Sequence, residues 1–194
     1  MKEDIFLKNS IGLLILAGGK SQRMGRDKGT LKIGEETFIM RLLENMGDYD
    51  ERIVSSSRKL YEEWVVTLAD EAGTEGKGPA AGIVTALTYC KSDSLMVVPC
   101  DVPFADFSVA KKLAEVYLSL PEKLKKPVVS ESTNGIEPLV GIYPKAVLPI
   151  MRKAIDEGIY SVKDILKRIG YREVPIADEK LININTPEDY EKYE

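Results

Sequence analysis

The sequence contains no histidine. That absence excludes Ser-His and Cys-His nucleophile pairs and any imidazole proton shuttle. Cysteine is scarce: Cys90 and Cys100 are the only two. They cannot form a thiolate metal site alone, no histidine can complete one, and their scarcity fits a reducing compartment. No targeting segment is visible. The N-terminal stretch mixes Lys2, Glu3, Asp4 and Lys8 and lacks a signal-peptide layout. The apolar run Ile11 to Ala17 is far too short to cross a bilayer. A cytoplasmic location with no membrane contact is therefore expected. The net charge of −4 offers no basic surface for nucleic acid. Whatever chemistry occurs must run on carboxylates, amines, guanidinium groups, backbone amides or a carboxylate-bound metal.

What is present reads as an ordinary globular chain. Its 194 residues, 44% hydrophobic and 30% charged, suit one domain spanning 1–194, large enough to fold without disulfide or metal staples. Strands and helices alternate. Ile11–Ala17 reads as a strand buried on both faces, and Thr37–Met46 as a helix stopped by Gly47. Short strands are expected at Arg52–Ser56 and Trp64–Leu68. Pro79 suits the first turn of a helix running to Cys90. Leu95–Pro99 reads as a second buried strand, and Asp106 as the cap of a helix through Ser119. Pro127–Glu131 and Glu137–Ile142 flank Thr133-Asn134-Gly135, a hairpin signal. Helices at Lys145–Glu157 and Ser161–Arg168 precede strands at Tyr171–Pro175 and Leu181–Ile184, and Pro187 opens a last short helix. This order predicts a Rossmann-like three-layer α/β/α fold with a mostly parallel, mixed sheet, the antiparallel piece lying at its edge.

In such sheets ligands bind at the carboxyl ends of the strands. Two loops there carry unusual polar residues. The first runs Leu16-Ala17-Gly18-Gly19-Lys20-Ser21-Gln22-Arg23-Met24-Gly25-Arg26-Asp27-Lys28. Glycines just after a buried strand let backbone amides approach a phosphate, and Arg23, Arg26 and Lys28 supply positive charge. The spacing matches neither a Walker loop nor G-x-G-x-x-G; a phosphate cradle and a solvated basic turn both remain open. The second loop is Val97-Val98-Pro99-Cys100-Asp101-Val102-Pro103. Asp101, just beyond an apolar strand, is placed to hold magnesium against phosphate oxygens, or else to cap a turn beside proline. Cys100 reads as a small buried side chain.

The first loop resembles the signature L-A-G-G-x-x-x-R-M-G-x-D-K of the sugar-nucleotide and cofactor nucleotidyltransferases. Within that superfamily the chain is most similar to the molybdenum cofactor guanylyltransferases (MobA-type). Supporting pieces are Gly78-Pro-Ala-Ala-Gly-Ile83, Pro99-Cys-Asp-Val-Pro103, Glu137-Pro-Leu-Val-Gly-Ile-Tyr143 and Asn183-Ile-Asn-Thr-Pro-Glu-Asp189. They span nearly the whole chain. The resemblance implies transfer of GMP from GTP to molybdopterin, giving molybdopterin guanine dinucleotide and pyrophosphate, with Mg2+ as cofactor. It implies that Leu16, Ala17, Gly18 and Gly19 line the nucleotide, that Arg23 and Lys28 meet the triphosphate, and that Asp101 holds the metal. Asp70 and Gly78 fall beside the nucleoside, and Asn183 and Asn185 near the metal and acceptor. Ser55 replaces the family's usual asparagine, a shorter side chain that still donates and accepts. Molybdenum-cofactor delivery proteins or apoenzymes are a further class of transient partner that the family implies.

The chemistry and the resemblance agree. A phosphomonoester acceptor is largely anionic at neutral pH, its second pKa being about 6, so it needs no general base. It needs relief from repulsion and in-line placement at the α-phosphorus, which cations and amides supply. Competing readings are a sister enzyme using CTP or UTP with another acceptor, and a non-catalytic nucleotide- or cofactor-binding chaperone. A nicotinamide redox protein would need a fingerprint that is missing here.

Overall fold

The computed structural model describes residues 10–18, 28–57 and 65–193. Among these, nine strands and six α-helices follow one another in chain order. Strand β1, Ile11–Leu16, is apolar on both faces and wholly buried. A minute hairpin, β2 (Lys32–Ile33) and β3 (Glu36–Thr37), precedes helix α1, Phe38–Asn45. The Thr37 hydroxyl caps α1 by accepting from the Met40 N–H at 3.2 Å. Strands β4 (Arg52–Ser55) and β5 (Val66–Leu68) follow, then helix α2 (Pro79–Tyr89) and strand β6 (Ser94–Pro99). Helix α3, Phe107–Ser119, is capped by Asp106, whose carboxylate accepts from the Ser108 N–H at 2.9 Å. Next come β7 (Val128–Ser132), β8 (Gly135–Pro144), α4 (Leu148–Asp156), α5 (Val162–Ile169) and β9 (Arg172–Pro175). Helix α6, Pro187–Tyr190, closes the set on a capping box between Thr186 and Asp189.

The main sheet has the order β5-β4-β1-β6-β8-β7-β9. Strands β5, β4, β1 and β6 run parallel, β8 is antiparallel to both β6 and β7, and β9 pairs parallel with β7. The expected mixed sheet is therefore present, but the antiparallel piece is not at its edge. Val140, Ile142 and Tyr143 are buried on both faces of β8, so β8 must lie inside the sheet, and β9 takes the edge.

Side-chain alternation along the central strands fills two cores. Ile11, Leu13 and Ile15 face α1 and α3 together with Met96 and Val98. Leu14 and Leu16 face α2, α4 and α5 together with Leu95 and Val97. Helix α2 is buried on nearly every side, because α4 covers the face that the sheet does not.

One expected strand does not form. Leu181–Ile184 follows a single 3-10 turn, Asp178–Lys180, and has no ladder partner among the described residues. The segment passes over the carboxyl ends of the strands instead of extending the sheet. Leu181 is buried in the core beneath α3, and Ile184 packs with Leu31 and Phe38. Its apolar spacing reflects anchoring at two points, not pleating. The expected strand starting at Trp64 begins at Val66 among the described residues; Trp64 lies outside them.

Candidate active site

Connections from β1 and β6 leave in opposite directions, β1 toward α1 and β4, β6 toward α3 and β7. The carboxyl ends of these strands thus border the switch in strand order where open α/β sheets bind ligands. Backbone bonds tie the ends together. The Cys100 N–H donates to the Leu16 carbonyl at 2.9 Å, Ala17 N–H to Ser55 at 2.9 Å, and Ser56 N–H to Leu68 at 2.8 Å. Each loop begins from a fixed point.

Above β1, β4 and β5 lies a cavity of about 580 Å3. It is lined by Leu16, Gly18, Ser55, Ser56, Ser57, Ala69, Asp70, Glu75, Gly76, Gly78, Pro79 and Gly82. Five residues named from the sequence are thereby gathered on one wall set: Leu16, Gly18, Ser55, Asp70 and Gly78. Ser56, Ser57, Glu75 and Gly76 complete the lining without a motif of their own; a run of serines at the end of a strand and a glycine-bearing acidic loop are their signals in the sequence. Ala17 stands beside the cavity, bonded through its N–H to Ser55.

Glycine is required at two places here. Gly78 has φ 76° as the residue preceding α2, a conformation that L side chains rarely adopt. At Gly82, one turn into α2, a Cβ would stand 2.7 Å from Ser55 Oγ and 3.1 Å from Leu16 Cδ2. The helix start therefore sits directly against β1 and β4. Ser55, only 6% exposed, occupies that contact.

The acidic end of the cavity is the Asp70–Gly78 loop. Burial raises the Asp70 carboxyl above its ordinary range, the Gly76 N–H opposes that, and nearby Glu75 adds to it. The loop is anchored from behind. The Glu71 N–H donates to Thr85 Oγ1 at 3.0 Å, and the Glu71 carboxylate meets Arg152 of α4 at 2.8 and 2.9 Å.

Asp101 stands on the other side of β1, in the turn after β6, half-buried. Its backbone carbonyl accepts from the Ile184 N–H at 2.8 Å, which brings the exposed Asn183 and Asn185 to the same turn. The segment is not a strand, so no sheet pleat sets the two asparagines. They flank the buried Ile184 instead. Asn183 Nδ2 contacts the Leu181 carbonyl at 3.4 Å, and the Asn185 N–H donates to Asp189 at 3.2 Å. Cys100 is buried and outside any disulfide. Gly19, Arg23 and Arg26 lie outside the described residues, as does the Lys28 side chain; Lys28 itself opens a 3-10 turn to Thr30. Tyr143 is fully buried and its hydroxyl donates to the Pro138 carbonyl.

No three histidine, cysteine or acidic side chains cluster as a metal cage among the described residues. A carboxylate with carboxamides nearby is a hard-oxygen set of the kind that holds Mg2+ through one or two carboxylates while water and phosphate oxygens complete the shell. The turn at Asp101 fits that ion. A second cavity, about 400 Å3, lies between α1, the start of α3 and the C-terminal segment, with Arg41, Phe104, Asp106, Lys180 and Tyr193 among its walls. No helix among the described residues is long and apolar enough to cross a membrane.

Comparison with known proteins follows the same lines. Residues 13–174 match the MobA-like NTP transferase domain. A probable molybdenum cofactor guanylyltransferase of Aquifex aeolicus is 33% identical over 184 residues, 92% of this chain and 87% of that one. The molybdenum cofactor guanylyltransferase of Pseudomonas fluorescens is 30% identical over 182 residues, 91% of this chain and 90% of that one. The crystal structure of molybdopterin-guanine dinucleotide biosynthesis protein A from Archaeoglobus fulgidus superposes with a TM-score of 0.76 at 22% identity, covering 94% of this chain and 96% of that one. That last likeness bears on the fold. With the domain match spanning most of the sequence and the relatives covering nearly all of it, the chain belongs to the MobA-like NTP transferase family and is a nucleotidyltransferase.

Proposed function

We propose that the chain is a Mg2+-dependent molybdenum cofactor guanylyltransferase, joining GMP from GTP to the phosphate of molybdopterin in the cytoplasm. One observation carries the site assignment: a single cavity at the strand ends gathers Leu16, Gly18, Ser55, Asp70 and Gly78, with Asp101 one strand away across β1. The nucleoside occupies that cavity. Its triphosphate runs across the end of β1 toward Asp101, and Arg23 and Lys28, which follow β1 in the sequence, would meet it.

Guanine suits the walls. It presents an acceptor, O6, beside two donors, N1–H and the exocyclic amine. The start of α2 has no side-chain cap. Pro79 lacks an N–H and the Ala81 N–H bonds the Gly78 carbonyl, which leaves the Gly78 and Ala80 amides as donors. The Asp70 loop offers carboxylate and carbonyl acceptors. In the reaction an acceptor phosphate oxygen bonds to the α-phosphorus while the bond from that phosphorus to the bridging oxygen breaks and pyrophosphate leaves. Lys28 and Arg23 lower the repulsion between the two anions and stabilise charge growing on the leaving group. Asp101 would hold the Mg2+, with Asn183 and Asn185 beside it. Bound there, the ion supplies charge neutralisation and orientation of phosphate oxygens. No protein base is required, which agrees with a chain that has no histidine.

The test is a product assay with molybdopterin and each of GTP, ATP, CTP and UTP. The expected result is pyrophosphate release and a guanine dinucleotide product with GTP. A preference for CTP would move the chain to a sister cytidylyltransferase, and nucleotide binding with no pyrophosphate release would make it a carrier.

A further inference from the structure

Asp70 lines the cavity, while its neighbour Glu71 points out of it into a different set of contacts. Arg152 Nη1 lies 2.8 Å from one Glu71 oxygen and Nη2 lies 2.9 Å from the other, a two-pronged guanidinium–carboxylate pair. Nη2 also donates to Thr88 Oγ1 at 2.6 Å, and that hydroxyl donates to the Val84 carbonyl at 2.7 Å. The Glu71 backbone N–H is held by the buried Thr85 hydroxyl. Inside the loop, Thr74 N–H and Oγ1 both donate to the Glu71 carbonyl, at 2.9 and 2.8 Å. These bonds all converge on Glu71, at the root of the loop. At its far end Lys77 Nζ stands 5.7 Å from the Tyr160 ring centroid, just before α5. Both fastenings come from residues that do not line the cavity.

We propose that Arg152 on α4 is a positioning residue for the nucleotide site, setting through Glu71 where the Asp70 loop stands above α2. The proposal rests on reading the cavity as the nucleoside site. Glu71 is 15% exposed and Arg152 40% exposed, so solvent screens the pair and its effect is graded, not absolute. Losing Arg152 leaves Asp70 in place chemically but lets its loop shift, so nucleotide binding suffers while the phosphate-handling residues across β1 are untouched.

The experiment measures GTP and ATP steady-state kinetics, and GTP binding by calorimetry, for wild type, Arg152→Ala, Arg152→Lys and Glu71→Gln. Arg152→Ala should raise KM and Kd for GTP roughly three- to tenfold. Its kcat should stay within about twofold, because the lost interaction is one of uniform binding. The ratio of specificity constants for GTP over ATP should narrow, and Arg152→Lys should recover part of it, since an ammonium cannot span both carboxylate oxygens. Glu71→Gln keeps the backbone bond to Thr85 and supplies a milder variant should Arg152→Ala fail to fold. Variants that lose only melting temperature and active fraction, with KM and the GTP:ATP ratio unchanged, overturn the positioning role. Wild type that binds no nucleoside triphosphate overturns the nucleoside reading and this role with it. Wild type that binds GTP while Arg152→Ala and Glu71→Gln bind it equally well overturns the positioning role alone.

Discussion

The cavity over β1, β4 and β5 is walled mainly by glycines, serines and backbone, whereas the one between α1 and α3 is walled by charged side chains of which Arg41, Asp106 and Lys180 already hold partners. In the second, Arg41 Nε donates to the Pro103 carbonyl at 3.2 Å, Arg41 Nη1 lies 3.7 Å from Glu36, and Lys180 Nζ lies 2.5 Å from Asp106. The Phe104 and Tyr193 rings, with centroids 4.8 Å apart, close it further. A ligand pairing with those groups must first displace their partners. The first cavity presents amides, small hydroxyls and one loop of acids, so a nucleoside meets groups it can pair with directly. Small side chains leave room and let backbone approach the ligand; neutralised ion pairs hold a loop junction together. On this contrast the first cavity is a site and the second is a seam that seats the C-terminal segment.

Asp101 stands in the turn between the two, after Cys100, whose N–H bonds Leu16, and before Pro103, which borders the second cavity. Asp101→Ala should give the largest effect of all. Turnover should fall about 10²- to 10³-fold, the range for deleting one group that stabilises developing charge. The fold should persist, because Asp101 holds Ile184 through its backbone carbonyl, which alanine retains. Circular dichroism and pyrophosphate release, measured on one preparation, check both halves. Near-normal turnover by the folded variant would remove Asp101 from the site.

The close approach of α2 to β4 sharpens the contrast next. Gly82→Ala drives a methyl toward Ser55 Oγ and Leu16 Cδ2, and overpacking of this kind costs about 1–3 kcal/mol. Because Ser55 and Leu16 line the cavity, KM for GTP should rise with the loss of stability. Combining Gly82→Ala with Ser55→Ala removes the nearer clash and should recover part of the stability, a coupling that urea unfolding of the four proteins measures. Additive losses would mean that the two residues do not press on each other.

Much of this arrangement was legible in the sequence, for identifiable reasons. The strands β1 and β6 are uninterrupted apolar runs, and a strand covered on both faces has no other pattern available. Helix starts at Thr37, Asp106, Ser161 and Thr186 announce themselves, because a cap is a local bond between residues two or three apart. Leu181–Ile184 misled for the opposite reason: its apolar residues answer to Leu31, Phe38 and the core under α3, contacts far away in sequence. The inward place of β8 depends on which strand reaches β6 first, which periodicity cannot state. Of the site, the glycines after β1 are legible as a strand end open to phosphate, whereas Leu16, Asp70 and Gly78 enter through the family resemblance. The Glu71–Arg152 pair joins positions 81 residues apart and has no local trace.

Discrimination between bases tests how the first cavity uses its acidic end. Adenine lacks the N1–H of guanine, so acceptors placed for guanine would be left buried and unpaired. Each such group costs about 1–3 kcal/mol, or roughly five- to 150-fold at about 1.4 kcal/mol per decade. Asp70 is partly exposed, so the low end of that range is expected. If Asp70 touches the base, Asp70→Ala should narrow the gap between GTP and ATP; if it touches only the ribose, both should weaken together. Specificity constants for the two nucleotides in the two proteins separate these outcomes.

The smallest effect belongs to the second cavity and is the sharpest test of calling it a seam. Burial alone would raise the Asp106 carboxyl, but hydrogen bonds from Lys180 and Ser108 outweigh it and hold the group below its ordinary range. A carboxyl whose folded pKa is depressed contributes stability above its unfolded value, about 3.9, and that contribution is lost as the pH falls through the folded value. Lys180→Met removes the partner but leaves the Ser108 bonds that cap α3. The Lys180 and Asp106 side chains are about one-third exposed, at 35% and 32%, which places the pair near the surface class. The loss at pH 7 should therefore stay under about 1 kcal/mol. Urea midpoints for wild type and variant should differ slightly at pH 7 and converge as the pH falls below the depressed folded value of Asp106, where the carboxyl is protonated in both. KM for GTP and for the pterin acceptor should not change. A rise in the acceptor's KM with the urea midpoint unmoved would show that Lys180 meets substrate, and the second cavity would then have to be counted as part of the active site.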